Sequence, residues 1–133
     1  MNQWRLDTHD QTLVLSSLNE RLPCIIYWGV RLPDEEGLSS LSDAVIKDWG
    51  DNLLDKVPEM SILPEQSANF SGQLGCKMRS VEGVILNSCF MFSGSDNSKN
   101  RLNLIYSDAA LELTYTVTIT AFEASNMFSL LAR

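Results

Sequence analysis

The sequence predicts an all-β, antiparallel domain with one short helix, and three observations carry that expectation. Leu111 to Phe122 alternates with a period of two, placing Leu111, Leu113, Tyr115, Val117, Ile119 and Ala121 on one side and Glu112, Thr114, Thr116, Thr118 and Thr120 on the other. That is the pattern of a half-buried strand. The other apolar runs are short and set off by Gly, Pro, Asn, Asp and Ser, as strands separated by turns are. Only one stretch, with Leu38, Leu41, Val45 and Trp49, recurs at helical spacing. At 133 residues the chain is about one domain long, enough to bury a core without disulfide or metal staples.

Taken in order, Trp4 to Leu18 gives two strands around a polar break at Asp7 to Gln11, a hairpin. Ser17 to Glu20 turns the chain into a third strand between Arg21 and Pro33, completing a meander. Alternation in that strand puts Cys24, Ile26, Trp28 and Val30 on one face and Ile25, Tyr27 and Gly29 on the other. Neither face is polar, so the strand is expected to be buried at the centre of its sheet. Pro23 and Pro33 cannot donate to a ladder and belong at its ends.

Asp34-Glu35-Glu36-Gly37 is an acidic turn, and the helix follows, with Ser39 or Ser40 placed to cap it and Gly50 to end it. Residues 34 to 59 hold eight of the seventeen acids against Lys47 and Lys56, so this insert is expected at the surface. Val57 to Arg79, with Pro58, Pro64, Gly72 and Gly75, lacks a period and reads as loop. Val81 to Phe92 reads as strand, Ser93 to Ser98 as a hairpin connection, Arg101 to Tyr106 as strand, and Phe128 to Ala132 as the last strand. Stopping inside a strand at Arg133 suggests a fragment of a longer gene product.

Composition excludes several functions. A formal charge of −7 and a pI of 4.5 repel phosphate backbones and anionic lipid, so neither nucleic acid nor membrane is an expected partner. The N-terminus lacks the basic-then-apolar layout of a signal peptide and no apolar run is long enough to span a bilayer, so a cytoplasmic location is expected. Cys24, Cys76 and Cys89 are odd in number and widely spaced, and read as free, buried thiols of a reducing compartment. His9 is the only histidine, so no metal, no cofactor and no His-dependent nucleophile is expected within this chain. Neither a phosphate-cradling glycine loop nor a Gly-x-Ser-x-Gly elbow occurs.

Two groups of side chains invite a functional reading. Asp34, Glu35 and Glu36 are paired carboxylates, but neighbours in an exposed turn point apart and stay solvated. Tyr27 and Trp28 have the flat faces that stack on the C–H side of a pyranose, although in a buried strand such aromatics are core. Asn69-Phe70-Ser71 matches a glycosylation acceptor, but nothing else points to secretion.

Three stretches together resemble the N-terminal domain of the family 36 glycoside hydrolases, the bacterial α-galactosidases. They are Trp4-Arg5-Leu6-Asp7-Thr8 leading through Leu13-Val14-Leu15 to Ile26-Tyr27-Trp28-Gly29; Ile62-Leu63-Pro64-Glu65 with Phe70-Ser71-Gly72; and Leu111 through Asn126. The resemblance implies that residues 1–133 belong to an antiparallel β-sandwich, part of a β-supersandwich that precedes a (β/α)₈ barrel. It places the catalytic aspartates in that barrel, so none is assigned here and the chain is expected to be inactive alone. It further implies a homo-oligomer, in which a loop of this domain reaches a neighbouring subunit's α-galactoside site. By position, Asp43 and Trp49 are the candidate substrate-binding residues. For Asp43 the competing role is a favourable charge in the first helical turn, and for Trp49 it is core packing. The alternative to an enzyme domain is a stand-alone carbohydrate-binding or oligomerisation module with the same sandwich. An exposed sheet edge is expected at Phe128 to Arg133.

Overall fold

A computed structural model of the chain describes residues 1–45, 60–68 and 72–133. Among these, strands β1 (Asn2–Asp7), β2 (Gln11–Ser17) and β3 (Cys24–Val30) form one antiparallel sheet in the order β1-β2-β3. A second antiparallel sheet has the order β6-β7-β8-β9, built from Met91–Ser98, Arg101–Asp108, Leu113–Phe122 and Met127–Ala132. Between them lie helix α1 (Leu38–Val45), a 3₁₀ turn at Gln66–Ala68 and the two-residue strands β4 (Met78–Arg79) and β5 (Ile85–Leu86). The fold is the expected all-β sandwich with one short helix.

The inner faces of the two sheets make the core. Trp4 and Leu6 of β1 and Leu13 and Leu15 of β2 meet Leu102, Leu104 and Tyr106 of β7 and Val117, Ile119 and Ala121 of β8. These positions alternate along each strand, so one face of each sheet is removed from water, at roughly 25 cal/mol per Å² of apolar surface buried. Phe92 stands between Trp4 and Tyr106, with ring centroids 5.6 Å from each. Of the strand read from Leu111 to Phe122, Leu113 onward is present as β8 with the expected face inward, Leu111 and Glu112 lying in the turn before it with Glu112 at φ 55°; the hairpin from Trp4 to Leu18 and the last strand are in place.

The central buried strand of the first sheet is β2, not β3. Val14 and Leu15 are fully buried, whereas β3 is an edge strand with Ile25, Trp28 and Val30 exposed. Two facts explain the difference. The outer face of β2 is roofed by residues 31–45: Arg5 donates to Pro33 O (2.8 Å) and Leu32 O (2.6 Å), Leu32 N donates to Thr12 Oγ1 (3.0 Å), and Gln3 reaches Leu38 O and Ser42 Oγ. In addition, a β-bulge breaks the register between Val14 and Leu15, because Leu13 opposes Trp28 and Val14 opposes Tyr27, yet Leu15 opposes Ile25. Ile26 is the extra residue, so Ile25 and Trp28 share the inner face, contrary to simple alternation.

Further departures have similarly local causes. Ser93 to Ser98 is not a connection but most of β6, an edge strand whose polar side chains stay in water while its backbone pairs with β7; the turn is Lys99-Asn100. Strand pairing needs only the main chain, which polar side chains do not prevent. Val81 to Phe92 is not one strand, because Gly83, at φ +85°, turns the chain between Ser80 and Val84. Of the three cysteines only Cys24 is buried; Cys76 and Cys89 are exposed. Ser39 and Ser40 lie inside α1, so neither caps it, and Asp43 is past its first turn. Trp49, the helical stop at Gly50 and the Asn69-Phe70-Ser71 triplet lie outside the described residues.

Candidate carbohydrate-facing surface

Where α1 lies decides what Asp43 can reach. Ser42 and Leu38 face the sheet, with Ser42 Oγ 3.3 Å from Ser16 Oγ, while Asp43 is exposed on the flank of the helix. The helix covers the outer face of the first sheet, and Trp28 belongs to its inner face. The structure therefore does not bring Asp43 and Trp28 together.

Asp34, Glu35 and Glu36 are exposed, as expected of a solvated turn. Asp34 lies 3.7 Å from Arg5 and 3.6 Å from Arg31, surface ion pairs of little energetic weight. Among the described residues no group of three or more His, Cys, Asp or Glu side chains is placed to hold a metal ion. No described helix is long and apolar enough to cross a membrane.

The surface with the clearest binding chemistry surrounds Trp28, whose side of the sandwich is open. The residue is 64% exposed, yet its indole is held: Nε1 donates to Gln11 Oε1 (3.0 Å), and the ring meets Phe128 edge-on, centroids 6.4 Å apart at 87°. On one side lies an open hollow of about 480 Å³ bordered by Asp10, Gln11, Gly29 and Val30. Asp10 is itself positioned, since its Oδ2 accepts from Asn126 Nδ2 at 2.8 Å and its backbone N donates to Asn126 Oδ1 at 2.9 Å. On the other side is a smaller apolar groove of about 100 Å³, formed with Leu13, Ile25, Ile119, Phe128 and Leu130. An oriented aromatic face beside an amide and a carboxylate can stack on a pyranose and hydrogen-bond its hydroxyls. In the sequence Trp28 reads as core, because neither the bulge that puts it on the same face as Ile25 nor the place of β3 at the edge of its sheet is visible there.

A second hollow, of about 210 Å³, lies over β4 and β5 and is bordered by Cys76, Lys77 and Arg79. Among its described lining residues there is neither an aromatic ring nor a carboxylate.

The Pro-Glu stretch has a structural role. Glu65, buried in the loop before the 3₁₀ turn, accepts from Phe90 N (3.0 Å) and Arg21 Nη2 (3.2 Å), and Arg21 also reaches Ser67 Oγ and Cys89 Sγ. Asp108, at the end of β7, accepts from the backbone of Cys89, Ala110 and Leu111. The hydrogen bond from Cys89 N, helped by the other two, holds its carboxyl below the usual aspartate range. Burial pushes the Tyr106 hydroxyl far above the usual tyrosine range. Glu65, Asp108 and Tyr106 hold the scaffold and are not open to a substrate.

No family model matches the chain, and no curated protein matches it by sequence. Among solved structures it is similar to a GH36 α-galactosidase of Geobacillus stearothermophilus, a doubly substituted variant crystallised with raffinose, at a TM-score of 0.73 and 14% identity. The likeness covers 98% of this chain and 21% of that one. The chain thus has the fold of a region of a glycoside hydrolase, about a fifth of that enzyme's length.

Proposed function

We propose that residues 1–133 form the N-terminal, non-catalytic domain of an α-galactosidase-like retaining glycoside hydrolase, supporting its assembly and the sugar site of the full-length enzyme. The observation that carries this reading is the likeness of nearly the whole chain to one region of a GH36 enzyme, together with the order of the three sequence stretches that resemble that family. Retaining hydrolysis needs two carboxyl groups about 5 Å apart across a sugar. Among the described acids, Glu65 and Asp108 are taken up by structural hydrogen bonds and the others, Asp7 apart, are exposed.

On this reading the isolated chain leaves an aryl α-galactoside intact, and hydrolysis that is lost on mutating one of its own acids would sink the proposal. The gene should continue into a barrel with two catalytic aspartates. In that longer enzyme Asp43, and Trp49 on the same segment, would contact α-galactoside bound by a neighbouring subunit. Replacing Asp43 by alanine should then raise KM several-fold at unchanged thermal stability, as expected of one lost hydrogen bond; an unchanged KM removes Asp43 from the site.

A second reading, a carbohydrate-binding module, is favoured by the held and exposed indole of Trp28. Titration of the isolated chain with raffinose, followed by indole fluorescence, discriminates the two. Saturable quenching that disappears in Trp28→Ala supports the module. No response up to the solubility of the sugar leaves Trp28 as a surface for protein contact.

A further inference from the structure

We infer that the hollow beside Trp28 selects sugars that carry a free ammonium group over neutral ones. This selectivity rests on the carbohydrate-binding reading of the same surface and names the class of sugar it takes. Every part of the hollow comes from inside the chain. Asp10 and Gln11 belong to the turn between β1 and β2 and the start of β2, and Trp28, Gly29 and Val30 to the end of β3. Asn126, which orients Asp10, sits at the corner before β9.

The carboxylate is fixed before any ligand arrives. Thr8 closes the turn, with its N donating to Gln11 O (2.9 Å) and its Oγ1 accepting from Gln11 N (3.1 Å). Asp10 O accepts from Arg31 N at 2.8 Å, which ties the turn to the end of β3. Asn126 stands at φ 50° and ψ 42°, a left-handed conformation that asparagine tolerates. From there its side chain bonds both the backbone N and the Oδ2 of Asp10. The indole is fixed as well, by Gln11 Oε1 and Phe128. An aromatic ring and a charge held in place lose little freedom on binding.

Three effects then favour a cation over a neutral hydroxyl in this place. The negative face of an indole attracts an ammonium group. A carboxylate makes a stronger hydrogen bond with a charged N–H donor than with a hydroxyl. The chain as a whole carries −7, so its field draws cations. Nothing in the described lining cancels these, because it holds neither Lys nor Arg. The ion-pair partner of Asp10 among the described residues is the exposed His9, 3.7 Å from Oδ1, a contact of little weight. An amino sugar joins the two requirements, since its C–H face stacks on the indole while its ammonium group meets Asp10.

Titration of the 133-residue chain at neutral pH and low salt, followed by indole fluorescence, tests the selectivity. Galactosamine should bind about tenfold more tightly than galactose. N-acetylgalactosamine, which keeps the ring and loses the charge, should bind like galactose. Trp28→Ala should abolish every response. Asp10→Asn keeps an oxygen for Asn126 Nδ2, so it should melt like wild type, bring galactosamine down to galactose and leave galactose unchanged. Salt at about 1 M should do the same to the wild type by screening. Equal binding of galactose and galactosamine, or an amine preference that survives Asp10→Asn, overturns the selectivity and leaves the carbohydrate module standing. No Trp28-dependent response to any of these sugars removes the module, and the selectivity with it.

Discussion

Replacing Glu65 by alanine should lower the unfolding free energy of the chain by about 3 kcal/mol, the cost of removing one partner of a buried charge pair. Glu65 is 4% exposed and joins three segments, because its two oxygens receive Phe90 N and the Arg21 guanidinium. Without the carboxylate, the buried Phe90 N–H has no acceptor, a desolvation cost of roughly 1–3 kcal/mol by itself. Arg21, still partly solvated, loses its anion but keeps Ser67 Oγ and Cys89 Sγ. The loop that carries Ile62 and Leu63 against the core would then hold mainly by Ile62 N to Pro23 O, the Cys24–Ser61 bridge and Gly75 N to Pro64 O. Glu65→Gln should cost less, because its amide oxygen can still accept from Phe90 N. A double-mutant cycle with Arg21→Ala, read by urea unfolding, separates the ion pair from the Phe90 bond. A Glu65→Ala loss below about 1 kcal/mol would mean that solvent replaces the carboxylate and that the clasp is not structural.

That clasp also shows what a sequence conceals. The Pro64-Glu65 pair was visible as part of a resemblance, yet the acceptor role of Glu65 depends on a backbone N–H twenty-five residues away. Local pattern carries no such information. By contrast, β8 was legible because its alternation of Thr with Tyr, Val, Ile and Ala reports directly which face is dry. β3 was legible as a strand but not as an edge, because an apolar strand reads the same whether its neighbour is present or missing. Only the bulge at Ile26 and the strand order show that Trp28 faces inward at the open side of the sandwich. β6 was hidden for the opposite reason, since Ser, Gly, Asp and Asn look like a turn although an edge strand tolerates them.

The site was less legible than the fold. Asp43, a candidate by its position in the sequence alone, is exposed on α1, on the far side of the sheet from the inner-face Trp28. The signal that would have favoured Trp28 was its place in an apolar strand beside two turn regions, but that signal equally describes core. Exposure, the Gln11 bond and the oriented Asp10 distinguish it, and each depends on tertiary contacts.

Replacing Asp108 by alanine should destabilise the chain by about 3 kcal/mol at neutral pH, because its carboxylate accepts three backbone N–H groups that are left unpaired without it. One oxygen takes Ala110 N at 2.9 Å and Leu111 N at 3.1 Å, closing the turn from β7 to β8. The other takes Cys89 N at 2.7 Å, fixing the segment that enters β6. Since all three donors favour the charged form, the folded chain holds this carboxyl below its ordinary value. The linkage follows: the stabilisation is fully present above the unfolded aspartate value and is lost as pH falls through the lower, folded one. Asp108→Asn cannot titrate and keeps an oxygen on one side only, so it should cost about 2 kcal/mol at neutral pH. Thermal melts of both proteins from neutral to strongly acidic pH should therefore converge as the wild-type carboxyl takes up its proton. A gap between wild type and Asp108→Asn that stays constant across that range would show that shape, not charge, holds the turn, and would remove Asp108 as a source of acid sensitivity.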